Sequence, residues 1–190
     1  MPAMGPVAKL DAVAERRVTM AGMGPVAEPD AVRRLRVLAS ALRATFVEET
    51  VPVSYERVWT VARDLEGALP ALLPGLRSFH IVDREGDRLR ARARGHAGMR
   101  GWFDGVLTPG MWLLQGRFLV AGMALVDVPE GTRVAFLGAF RFRGFALVRP
   151  LVRPMLTRHA KRVIRRLGSA AADVGGGGAE PTPLAPSGPV

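Results

Sequence analysis

The stretch that most constrains the fold runs from Gly144 to Leu167, GFALVRPLVRPMLTRHAKRVIRRL. On a 3.6-residue wheel, Phe145, Val148, Val152, Met155, Leu156, His159, Ala160, Val163 and Leu167 share one broad face. Arg153, Arg158, Lys161, Arg162 and Arg165 fall elsewhere on the wheel. The spacing predicts the last and longest helix of the chain. Pro150 suits a first turn or a kink. Pro154 removes a hydrogen bond if the helix is already running, which predicts a bend or a late start. Gly168 is placed as the C-cap. A helix this long with so wide an apolar face must lie against something large.

What precedes it reads as a sheet. Leu76 to Asp83, LRSFHIVD, switches the hydrophobic period to two, and Gly86-Asp87 marks a hairpin turn. In DRLRARARG, Arg88, Arg90, Arg92 and Arg94 alternate with Leu89, Ala91 and Ala93, the signature of an antiparallel sheet with one wet face. Further strands follow in RGWFDGVL, MWLLQGRF, LVAGMALVDV and TRVAFLGAFRF, separated by turns at Thr108-Pro109-Gly110 and Pro129-Glu130-Gly131. Met111 to Leu114 and Leu119 to Val126 are apolar on both parities. Something must therefore cover the outer side of the sheet there. The candidates are a helix at about Ala31 to Arg43, built on Leu35, Leu38 and Leu42, or a second copy of the chain in a homodimer.

Upstream, Thr45 to Val53 reads as a strand. Ser54 is placed as the cap of a helix carrying Tyr55, Val58, Trp59 and Ala62, and a second short helix carries Leu65, Leu69, Leu72 and Leu73. Before these, MGPVAKLDAV at Met4 to Val13 recurs as MGPVAEPDAV at Met23 to Val32, too few copies for a solenoid. The layout is thus an N-terminal extension over 1–43, one α+β domain over 44–170, and a Gly- and Pro-rich tail over 171–190 expected to be disordered.

At this point a resemblance is visible. ETVPVSYERVW with DLEGALPALLPGLRS resembles the opening of helix-grip proteins, in the Val58-Trp59 segment, the Asp64-Leu65 step and Leu73-Pro74-Gly75. PEGTRVAF followed by a long basic helix resembles their ending. This is the START-like, or SRPBCC, superfamily of lipid-transfer domains and polyketide cyclases/dehydrases. The resemblance implies a curved antiparallel sheet of about six or seven strands gripping the C-terminal helix, two short helices after the first strand, and a cavity between sheet and helix.

Composition sets the remaining bounds. With no cysteine, disulfides, thiolate metal sites and a cysteine nucleophile are excluded. His80, His96 and His159 lack metal-ligand spacing, and no phosphate-binding or dinucleotide fingerprint is present, so no metal and no cofactor are expected. No apolar run is long enough to span a bilayer, and acids at Asp11 and Glu15 do not fit a secretory signal, which makes a cytoplasmic location the default expectation. The net charge is +10, and the acid-free window between Glu130 and Asp173 holds ten basic residues. Arg153, Arg158, Lys161, Arg162 and Arg165 form a candidate surface for anionic partners. All basic residues but Lys9 and Lys161 are arginine, which a GC-rich genome also produces unaided.

The candidate ligand contacts follow from parity. Trp112, Leu114 and Phe118 share one face of a strand, Val134, Phe136 and Phe140 share another, and Met123 and Leu125 extend the set. Met155, Leu156, His159 and Val163 come from the helix. Such an apolar lining suits a ligand site and equally suits a solid core. Three residues are candidate acid–base groups. His159 sits within the apolar arc, where a core histidine is the alternative. Asp104 shares its parity with Trp102, another candidate contact, and an inward orientation would give it a role. Glu49 shares its parity with Val47 and Val51. The residues favour a non-enzymatic binder or carrier of a hydrophobic small molecule such as a lipid, quinone or polyketide. The alternatives are a cyclase/aromatase-type enzyme and a basic module docking on an anionic membrane or RNA. Exposed aromatics among the arginines are not expected, which disfavours nucleic acid.

Overall fold

The computed structural model describes residues 30–73, 75–96, 98–141 and 145–176. The described residues open with α1, Ala31–Leu42, capped by the Asp30 carboxylate, which accepts the Arg33 N–H at 2.6 Å. Then come β1, Thr45–Val51, and the short helices α2, Tyr55–Ala62, and α3, Ala68–Leu72. Six strands follow: β2, Leu76–Glu85; β3, Arg88–Gly95; β4, Arg100–Thr108; β5, Met111–Gly116; β6, Leu119–Val128; β7, Gly131–Phe140. The long helix α4 spans Phe145–Gly176. The N-terminal repeat, apart from residues 30–32, and residues 177–190 lie outside the described residues.

The seven strands form one antiparallel sheet in the order β1-β7-β6-β5-β4-β3-β2. The edge strand β2 is partly shielded, because the Glu66 carboxylate accepts the Ile81 N–H at 2.9 Å. The sheet divides two cores. On its inner face, Trp112, Leu114, Met123, Leu125, Val134 and Phe136 pack with Val58, Leu65 and Leu69 and with Val163, Ile164 and Leu167 of α4. On its outer face, α1 lays Val32, Leu35, Leu38 and Ala39 over Met111, Leu113, Val120, Ala124, Ala135 and Leu137. Of the two covers expected for the double-sided apolar strands, α1 is in place on the outer face. Gly122 makes this fit possible, since a Cβ there would lie 3.0 Å from Leu35 Cδ1.

Three local expectations are corrected. Gly168 is not a C-cap: α4 runs on through Gly176, and Gly168 lies where the helix crosses β1, with the site of a Cβ 3.1 Å from Val51 Cγ1. The glycine serves close approach rather than termination. Ser54 occupies the N-cap position of α2 but makes no capping hydrogen bond. Of the alternatives at Pro154, the late start is overturned, since α4 begins at Phe145 and runs through both Pro150 and Pro154.

Leu35 of α1 is almost wholly buried against the sheet. Leu35→Ala is expected to cost about 2–5 kcal/mol, measured by urea denaturation. A loss below about 0.5 kcal/mol, the range of surface substitutions, would show that α1 does not hold the outer face.

Candidate functional site

The inner face of the sheet is where apolar side chains converge. β3 contributes the small Ala91 and Ala93 and β4 the half-buried Phe103, whose ring stands 6.2 Å from that of Phe79. α4 packs mainly against β1, β7 and α2, so it covers one half of this face. Its buried stripe is Ala160, Val163, Ile164, Leu167 and Ala171. Ile164 and Ala171 were not among the expected contacts, although Ile164 adjoins Val163 on the wheel.

Within this apolar interior stands one unpaired polar atom. Trp112 is fully buried, and its indole Nε1 has no hydrogen-bond partner. Buried donors are normally satisfied, and leaving one unpaired costs about 1–3 kcal/mol. Trp112 is held between Leu107 on β4 and Met123 on β6 by the strand register. Leu107 also lines an open groove of about 720 Å³, together with Trp59, Arg63 and Asp64 of the α2 region and Arg84 and Asp87 of the β2–β3 hairpin. The groove thus borders the cross-strand neighbour of Trp112. No parity pattern marks either feature.

Most of the expected contacts are buried or stay half-buried on the helix: Trp112, Leu114, Met123, Leu125, Val134, Phe136, Val163, Leu156 and, at the margin, His159. Four do not face the interior. Trp102 is 51% exposed on the outer face, because the inward parity of β4 belongs to Gly101, Phe103, Gly105 and Leu107. Phe118 is 55% exposed in the β5–β6 turn, past the end of the strand whose parity it was assigned. Phe140 is 38% exposed at the final residue of β7. Met155 is 61% exposed, since it sits about 100° round the helix from Leu156.

The acid–base candidates are not brought together. Asp104 shares the outer parity of Trp102 and lies 3.9 Å from Arg90 Nε in an exposed pair. Glu49 does face α4, where it meets Lys161 Nζ at 3.3 Å and Arg165 Nε at 3.9 Å. It therefore ties β1 to the helix, and it draws Lys161 and Arg165 out of the expected anion-attracting surface; Arg153, Arg158 and Arg162 remain exposed. His159 is half-buried on α4. Burial, then Arg162 and Arg166, push its pKa below the usual 6.5, so the imidazole is neutral at neutral pH. Tyr55 is half-buried with its hydroxyl over the turn at Gly110; burial, then Glu56, raise its pKa above 10.0. One further expectation fails in an informative way: Trp102 is an exposed aromatic among arginines, with Arg90 Cζ 5.1 Å from its ring centroid.

Several solved structures share this geometry, although no family model and no curated protein matches the sequence. The structure of TTHA0849 from Thermus thermophilus matches with a TM-score of 0.54 at 23% identity, over 70% of this chain and 99% of that one. The protein CC1736 from Caulobacter crescentus matches at 0.55 with 17% identity, over 70% and 98%. The aromatase/cyclase Zhui from Streptomyces sp. R1128 matches at 0.52 with 15% identity, over 72% and 98%. The fold is the helix-grip fold of the START-like proteins. At these identities the likeness is one of fold. Among the described residues, no helix is long and apolar enough to cross a membrane.

The lowered pKa of His159 has a defined sign. Its neutral form is favoured in the folded chain, so its contribution is present above 6.5 and is lost as pH falls through the lowered folded value. Between about pH 7 and pH 5, wild type is expected to lose more melting temperature than His159→Gln. Parallel curves would show that His159 is solvated in the fold.

Proposed function

We propose that the protein binds a hydrophobic small molecule between the inner face of the sheet and α4, without transforming it. The observation that carries this reading is the unpaired Trp112 Nε1 in an apolar interior. A ligand oxygen accepting that N–H would satisfy the only buried side-chain polar atom lacking a partner among the described residues. The ligand is mainly apolar with at least one acceptor oxygen, a description that fits a lipid, a quinone or a polyketide-like ketone. Entry is by way of the groove lined by Trp59 and Leu107, since Leu107 is the cross-strand neighbour of Trp112.

Binding without chemistry is supported by the scatter of titratable groups. Acid–base catalysis on a ketide needs a group within hydrogen-bond reach of the reacting carbon's proton. Asp104 is on the wrong face, and Glu49 is engaged by two cations. The Streptomyces neighbour is an aromatase/cyclase, and a comparable activity here would have to rest on His159.

A neutral fluorescent probe, N-phenyl-1-naphthylamine, tests the reading without interference from surface charge. Wild type is expected to bind it, and Phe136→Trp to bind it several-fold more weakly with its fold intact, because the larger ring takes up the ligand's space. Absence of binding in wild type, with Phe136→Trp destabilised by about 1–3 kcal/mol, would identify a solid core instead.

A further inference from the structure

Among the described residues, the outer face of the sheet is only half covered. α1 packs on β6 and β7 and reaches Met111 and Leu113 of β5. Beyond it, β2, β3 and β4 present their outer side chains to solvent. The register sets these in rows: Ser78, Arg94 and Arg100 in one, His80, Arg92 and Trp102 in the next. Arg92, Arg94 and Arg100 are exposed and have no ion pair among the described residues. Carboxylates lie towards the other end of the same strands, at Asp83, Glu85, Asp87 and Asp104.

Exposed apolar side chains accompany the arginines. Met99 stands 68% exposed at the β3–β4 connection, and Phe118 stands 55% exposed in the β5–β6 turn. Both lie at the arginine end of the sheet, since Arg94 pairs with Arg100 and Phe103 with Gly116. Trp102 and Phe118 each carry a guanidinium over the ring, from Arg90 at 5.1 Å and Arg117 at 5.0 Å.

We propose that this bare face docks on an anionic lipid bilayer, with Arg92, Arg94 and Arg100 on headgroup phosphates and Met99, Trp102 and Phe118 in the interfacial layer. Charge complementarity selects an anionic partner. The apolar side chains select a bilayer over single-stranded nucleic acid. A stacking platform needs free aromatic faces in succession, whereas here one face of each ring is taken by arginine and Met99 has no ring. Tryptophan beside cationic side chains suits the headgroup boundary. This surface is separate from the interior, so the proposal stands independently of the ligand reading.

The test is co-sedimentation with vesicles of equal parts phosphatidylglycerol and phosphatidylcholine, against phosphatidylcholine alone, with circular dichroism on every variant. Wild type is expected to prefer the anionic vesicles by about tenfold or more, and Arg94→Glu with Arg100→Glu to remove most of that preference. Met99→Ser with Phe118→Ser is expected to weaken binding several-fold, including at raised salt where the charge contribution is screened. Arg158→Glu with Arg162→Glu, on α4, should change binding by less than about twofold. Equal retention by both vesicle types overturns the proposal, as does a loss of binding that follows the α4 pair instead. Tight binding of oligouridylate, abolished by the Arg94 and Arg100 reversals while vesicles are ignored, gives the face to nucleic acid and also overturns it.

Discussion

The structure depends on covering both faces of its three central apolar strands. β5, β6 and β7 bury side chains on each parity: Trp112 and Leu113, Met123 and Ala124, Phe136 and Leu137. A single sheet cannot bury both sides of itself. One side is closed by α4 with α2 and α3, and the other by α1. The helix Ala31–Leu42 is therefore part of the folding unit, and at Gly122 and Gly168 helix and sheet approach so closely that a Cβ would stand 3.0 Å from Leu35 Cδ1 and 3.1 Å from Val51 Cγ1. Ion pairs reinforce the same two contacts without creating them. Arg36 and Arg133 meet Glu48 on the outer side, and Lys161 and Arg165 meet Glu49 on the inner side. These groups are partly exposed, so their worth lies in orientation more than in stability.

The other half of the sheet obeys a different rule. β3 alternates small apolar residues inward with arginines outward, and β4 follows the same register. Inside, alanines and glycines make room for larger neighbours: Phe103 lies over Gly116, and Leu89 and Leu114 crowd Gly105. Outside, no element among the described residues covers the arginines. The division of labour is thus written across one sheet, with a closed half that provides stability and an open half whose charge remains available. Trp112, whose indole N–H is unpaired, lies on β5 opposite Leu107, which lines the groove.

The fold was legible because its strongest signals are periodic. The arginine alternation of β3, the apolar wheel of α4 and the doubly apolar strands each specify a face, and together they required a covering element where α1 lies. The errors share a physical origin. On β4 the inward positions are held by Gly101, Phe103, Gly105 and Leu107, so counting bulky residues favoured the wrong parity and carried Trp102 and Asp104 inward with it. Their cross-strand partners Arg92 and Arg90 would have set the register correctly. Phe118 and Phe140 failed because parity ends where a strand ends. Met155 failed because a broad apolar arc was read as one face, whereas the packed stripe is the narrower one through Ala160, Ile164 and Ala171. The groove and the unpaired donor arise from long-range packing between β4, β5 and α2, which no local pattern encodes.

Whether the interior receives a hydrophobic molecule is tested most directly by native mass spectrometry of the full chain, purified without detergent from the organism that encodes it. The expected spectrum contains a species heavier than the bare chain by one defined small-molecule mass, with the added mass released on denaturation and recovered in organic extract. A spectrum of the bare chain alone, from folded protein prepared in this way, would contradict the account and leave the inner face as a core that only stabilises the fold.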